Sequence, residues 1–169
     1  MLETHMRHWS LAVALLVMAN VAANAEGNGH PLAQAQPSAD LTPAEVIRYQ
    51  VDALADNDVP HADAGIEITF RFASPENRRV TGPLPRFRAL LHNPMYSGLL
   101  NHIRAEYGDP LLRGHMVLGP VLITTADGRQ IGYMFQLSKQ LDPSCPGCWM
   151  TEGVTRLDAD AADPGRTTL

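Results

Sequence analysis

The chain predicts an α+β domain, with amino-terminal helices laid on one face of an antiparallel sheet of about four strands. Three observations carry that prediction. Thr42-Pro43-Ala44-Glu45 has the form of a helix start, and Ile47, Val51 and Leu54 follow at helical spacing. Pro83 and Pro85 open a second stripe made of Leu84, Phe87, Leu90 and Leu91. Beyond them, the alternating runs 116–125 and 131–139 flank Ala126-Asp127-Gly128-Arg129, the pattern of a β-hairpin.

Residues 1–25 read as an export signal. Arg7 and His8 precede the apolar run 9–18, and Ala23-Asn24-Ala25 fits a small-x-small cleavage site. The run is shorter than the roughly twenty residues a span requires. No stable membrane span is therefore expected after cleavage, and the mature protein is expected to be periplasmic or secreted. Residues 26–40 contain Gly, Pro, Ala and Gln without an apolar period, which is the composition of a flexible leader. A single domain should occupy 41–157.

Within it, Thr42 caps the first helix, Pro43 suits the first helical position, and Asp56-Asn57-Asp58 with Pro60 ends it. Segment 65–73 admits two readings. Ile66, Ile68, Phe70 and Phe72 alternate with Glu67, Thr69 and Arg71, yet Ile66, Phe70 and Ala73 also share a helical face before a Ser74-Pro75 stop. Periodicity alone favours a strand. The next helix is capped by Thr81 or Gly82 and stops at Asn93-Pro94. Residues 99–107 read as a first strand, with a continued helix as the alternative. In the run 131–139, Ile131, Tyr133, Phe135 and Leu137 take one face; Gly132, Met134, Gln136 and Ser138 take the other. A last strand covers 149–157, and the acidic stretch 158–169 reads as a disordered tail.

A length of 169 residues suits one domain, and a hydrophobic share of 45% is enough to build its core. The net charge of -5 argues against nucleic acid or an anionic membrane as a partner recruited by charge.

The short motifs permit chemistry without compelling it. Cys145-Pro146-Gly147-Cys148 lies in the part expected to be exported, where an oxidising compartment permits a disulfide. A redox pair would need its first sulfur near a helix N-terminus, and here a strand pattern follows. Zinc would need two further ligands at matching spacing, and none is evident. His102, beside Asn101, and Glu152 would form an acid/base pair if both entered one cavity; a histidine bonded to its neighbours is the plainer reading. Arg78, Arg79, Arg86 and Arg88 could clamp an anion, or form a solvated face balanced by Glu67, Glu76 and Glu106. Tyr96, Tyr133 and Met150 could line a cavity or simply pack. His61-Ala62-Asp63 is too little for a metal site, and no cofactor is indicated.

Several blocks together resemble one family. They are 41–46, Gly65-Ile66, Phe70-Arg71-Phe72-Ala73-Ser74-Pro75-Glu76-Asn77-Arg78, Thr81-Gly82-Pro83-Leu84, Asn93-Pro94-Met95-Tyr96, Leu99-Leu100-Asn101-His102 and Cys148-Trp149-Met150-Thr151-Glu152-Gly153-Val154. They look like an uncharacterised domain-of-unknown-function family of bacterial and plant-type sequences, associated with the nuclear-transport-factor-two-like (cystatin-like) superfamily. The resemblance spans roughly 41–154. It implies a cone in which helices pack on a strongly curved antiparallel sheet, and it turns segment 65–73 from strand to helix. Cys148 belongs to the resembling block, whereas Cys145 does not. Relatives on such a fold include isomerases, hydratases, cyclases and scaffolds, so fold does not fix chemistry. The Asp base and Tyr/Asp oxyanion pattern of the steroid isomerases maps onto no positions here.

The sequence thus favours a non-catalytic exported domain that binds a small apolar or amphipathic molecule, or a protein. Tyr96, Asn101, His102, Tyr133 and Met150 are the candidate lining residues. An isomerase- or dehydratase-like enzyme using His102 and Glu152 is the first alternative, and a thiol redox protein using Cys145 and Cys148 the second. A homodimer through the outer sheet face is compatible with the architecture.

Overall fold

The computed structural model describes residues 29–157; the expected signal at 1–25 and tail at 158–169 lie outside them. Four helices come first: α1 (Pro43–Ala55), α2 (Ala64–Arg71), α3 (Pro75–Thr81) and α4 (Leu84–Leu91). A short 3-10 turn, Ser97–Leu99, leads into β1 (Arg104–Tyr107), β2 (Leu111–Arg113), β3 (Met116–Thr124), β4 (Gln130–Lys139) and β5 (Trp149–Leu157). The sheet is wholly antiparallel and open. β1 and β2 share one edge of β3, and the order continues through β4 to β5.

α1 begins as its sequence dictates. Thr42 Oγ1 accepts from Glu45 N at 3.3 Å while the Glu45 carboxylate accepts from Thr42 N at 2.8 Å, so two otherwise unpartnered amides are satisfied. Its buried face, Val46, Ile47, Gln50, Val51 and Leu54, lies on the sheet, with Ile47 over Gly119 of β3.

Segment 65–73 is mostly helix, against its alternation. The reason is burial on more than one side: Ala64, Gly65, Ile66, Ile68 and Thr69 are all buried, so no polar stripe is left to declare a helical period. Gly65 is where α2 crosses α1. A Cβ there would collide with the Ala53 carbonyl, and Gly65 N donates to Asn57 O at 3.0 Å. Only glycine permits that approach.

Ser74-Pro75 both stops one helix and starts another. Ser74 Oγ accepts from Asn77 N at 3.0 Å, Pro75 takes the first position, and α3 runs to Thr81. The expected cap of the next helix shifts accordingly: Gly82 ends α3 at φ 85°, which suits a residue without a Cβ, and Pro83 precedes α4 without a side-chain cap. The expected strand over 99–107 shortens to β1, since the 3-10 turn and Asn101 at φ 50° come first. The short edge strand β2 has no counterpart among the expected elements.

The hairpin forms as expected, with Thr125 N donating to Arg129 O and Gly128 at φ 83°. Along β4, Ile131, Tyr133, Phe135 and Leu137 are buried, and they join Leu54, Ile66, Phe72 and Ile123 in the core between the layers. The stretch before α1 carries contacts too. His30 is buried, with Leu32 N donating to its Nδ1 and its Nε2 against Ala53 O; Arg71 donates to Ala33 O at 2.7 Å.

Candidate functional site

The two sequence blocks that stand out most meet in space. Phe72–Ser74 runs beside β5: Thr151 N donates to Phe72 O at 2.8 Å and Ser74 N to Thr151 O at 2.9 Å. Asn77 Nδ2 also donates to Thr151 O. On the other side, Thr151 Oγ1 accepts from Gln50 Nε2 at 2.8 Å and donates to Gln50 Oε1 at 3.0 Å. These buried polar groups are paired, as low-dielectric surroundings require. The result is a seam fastening α1 and α3 to the sheet.

Above that seam opens a cavity of about 240 Å³ between the helices and the sheet. Leu54 of α1, Phe87, Leu90 and Leu91 of α4, Leu99, and Phe135 with Val154 of the sheet supply its apolar wall. Thr69, Ala73, Asn77 and Thr151 line it beside Gln50, while Glu76, Val80, Thr81, Tyr96, Glu152 and Gly153 complete the lining. Tyr96 is tied down by its hydroxyl, which donates to Val154 O at 3.3 Å. Glu152 is fixed by neutral donors: Ser74 Oγ at 2.7 Å, Gln140 Nε2 at 3.0 Å, and Ser138 Oγ.

Of the residues singled out from sequence, the structure brings Tyr96 and Glu152 to this cavity. His102 is elsewhere, in a shallow depression with Asp52, Arg104 and Tyr107, its Nδ1 against Leu99 O at 2.8 Å. His102 and Glu152 therefore line different depressions. In the former, Tyr107 donates to Asp52 at 2.6 Å; burial first, then that bond, raises its phenol above the ordinary value. Asn101 is exposed and donates to Asp58 Oδ2 at 2.7 Å. Tyr133 is fully buried in the core with its hydroxyl on Met95 O, and burial raises its phenol. Met150 is buried beside a depression shared with Arg71, Arg78 and Cys145.

Cys145 and Cys148 stand at disulfide distance, with Cα atoms 5.6 Å apart, in a loop that leads into β5 and not into a helix. Cys148 is wholly buried. Half of the arginine cluster is balanced by carboxylates: Arg79 pairs with Glu76 and Arg88 with Glu67. Arg78 instead donates to Arg71 O and covers the Phe70 ring at 5.0 Å, and desolvation lowers its pKa. Glu106 pairs with Arg104, away from the cluster.

Sequence reasoning missed Asn77, Val80 and Thr81, because α3 was hidden behind the Ser-Pro stop. The signal was present. A serine followed by proline, with an amide three positions on to donate to the serine hydroxyl, is a helix start as well as a stop.

The fold and cavity define an α+β domain with a partly open interlayer site. Residues 36–163 match the family model for a domain of unknown function, DUF4864, and the chain belongs to that family. No curated protein and no solved structure matches the chain. Among the described residues, no helix is long and apolar enough to cross a membrane.

Proposed function

We propose that this protein is an exported, non-catalytic binding domain that holds a small apolar or amphipathic molecule between its helices and its sheet. The supporting observation is the cavity itself, walled by Leu54, Phe87, Leu90, Leu91, Phe135 and Val154. Concave, mainly apolar sites with a few fixed polar groups are where small molecules bind. Burying a ligand there releases about 25 cal/mol for each Å² of apolar surface removed from water. The acid/base alternative requires His102 and Glu152 in one cavity, and their separate placement gives it no support. The thiol alternative requires a reachable sulfur at a helix start, which the loop before β5 does not offer.

The cone of the nuclear-transport-factor-two-like superfamily belongs to the same proposal. A register irregularity between Gln136 and Leu137, where β4 meets β5, favours a sheet bent around the helices. Half-buried Leu118, Pro120, Leu122 and Met134 alternate with the core residues of β3 and β4 and favour self-association through that outer face.

Titration with the neutral dye N-phenyl-1-naphthylamine tests the binding reading. The protein should enhance the dye's fluorescence saturably. Ala73→Leu, which extends a buried side chain into the cavity, should abolish the enhancement while cooperative unfolding persists. Saturable enhancement that survives the substitution unchanged would locate the dye elsewhere and refute the reading.

A further inference from the structure

Resting on that reading, we infer that the cavity selects a ligand whose head group donates hydrogen bonds, an alcohol or an ammonium, and rejects a carboxylate on the same apolar chain. Few donors among the lining side chains are free. Thr69 Oγ1 is committed to Gln50 O, Thr81 Oγ1 to Asn77 O, and the Tyr96 hydroxyl to Val154 O. Thr151 Oγ1 donates to Gln50 Oε1, and both hydrogens of Gln50 Nε2 are used, on Val46 O and Thr151 Oγ1. Asn77 Nδ2 donates to Thr151 O and keeps one hydrogen. That single hydrogen is all the lining side chains offer to an anion.

Acceptors, by contrast, are at hand. No hydrogen bond from the described residues reaches Asn77 Oδ1, and Glu76 and Glu152 are among the lining residues. Arg79 pairs with the first; only neutral groups touch the second. A carboxylate in this cavity would lose its water, find one side-chain donor, and lie near the like charge of Glu152. A hydroxyl or ammonium would find the Asn77 Oδ1 acceptor in place, and the ammonium would also be attracted through space by Glu152.

The test is displacement of bound N-phenyl-1-naphthylamine from the purified full chain by octanol, octylammonium and octanoate at neutral pH. Octanol and octylammonium should each displace the dye at concentrations at least about tenfold lower than octanoate, a difference of roughly 1.4 kcal/mol. In Glu152→Gln, whose folding is checked by its thermal transition, the gap between octylammonium and octanoate should narrow. Octanoate displacing as well as octanol overturns the inference and leaves the binding reading intact. A dye that never binds overturns both.

Discussion

Thr151 joins three segments through five hydrogen bonds: its amide donates to Phe72 O, its carbonyl accepts from Ser74 N and Asn77 Nδ2, and its hydroxyl makes two with the Gln50 amide. Removing the hydroxyl would leave the buried Gln50 amide short of a partner, a loss of about 1–3 kcal/mol. Thr151→Val should therefore lower unfolding free energy by that amount in chemical denaturation. Gln50→Leu combined with Thr151→Val should cost less than the two single changes added, because neither partner is then left stranded. A strictly additive pair would mean the two side chains are not coupled. Asp58 gives a second residue-scale prediction. The Asn101 side chain first, then the Asp63 amide, hold its carboxyl below the usual aspartate value. Stability from that pairing is complete above the unfolded pKa of about 4 and is lost as pH falls through the lower folded value. Asn101→Ala should move the Asp58 midpoint upward in an NMR titration; an unmoved midpoint would show that the bond contributes nothing.

At the scale of elements, α3 depends on its first residue. Ser74 Oγ accepts from Asn77 N and donates to Glu152, so it caps the helix and ties it to β5 at once. Ser74→Ala should destabilise the protein by about 1–2 kcal/mol, and hydrogen exchange should quicken in 75–81 ahead of α1. Uniform quickening everywhere would mean that α3 has no separate anchor. The same element shows what could be read from sequence. α1, α4, β3, β4 and β5 were legible because each has one buried face and a clear period or turn. α2 was not legible from periodicity, since burial on several sides removed its polar stripe and left Ile66, Ile68, Phe70 and Phe72 imitating a strand; only the family resemblance read it as helix. α3 was not, because Ser74-Pro75 reads as an end when the preceding run is taken as the element. The cavity followed the same division: Tyr96 and Glu152 were named, whereas Asn77, Val80 and Thr81 stayed hidden with their helix. His102 and Asn101 looked available in sequence, but the turn after Leu99 directs one to its own backbone and the other to Asp58.

For the whole molecule, two layers are fastened by a polar seam and leave an apolar space beside it. The seam explains why the Phe-Arg-Phe-Ala-Ser-Pro-Glu-Asn and Cys-Trp-Met-Thr-Glu blocks are distinctive together: Phe72, Ser74 and Asn77 of the first bond Thr151 and Glu152 of the second. It also leaves the cavity wall free to be apolar, since its polar neighbours other than the Asn77 amide are largely satisfied by one another. Methyl-labelled NMR of the full chain, titrated with octanol, tests whether a ligand enters between the layers. The methyl signals of Leu54, Leu90, Leu91, Leu99 and Val154 should shift together with one dissociation constant, while those of the exposed Leu111, Leu112 and Leu141 remain fixed. Shifts confined to the exposed leucines, or none at any accessible concentration, would contradict a binding site between the layers.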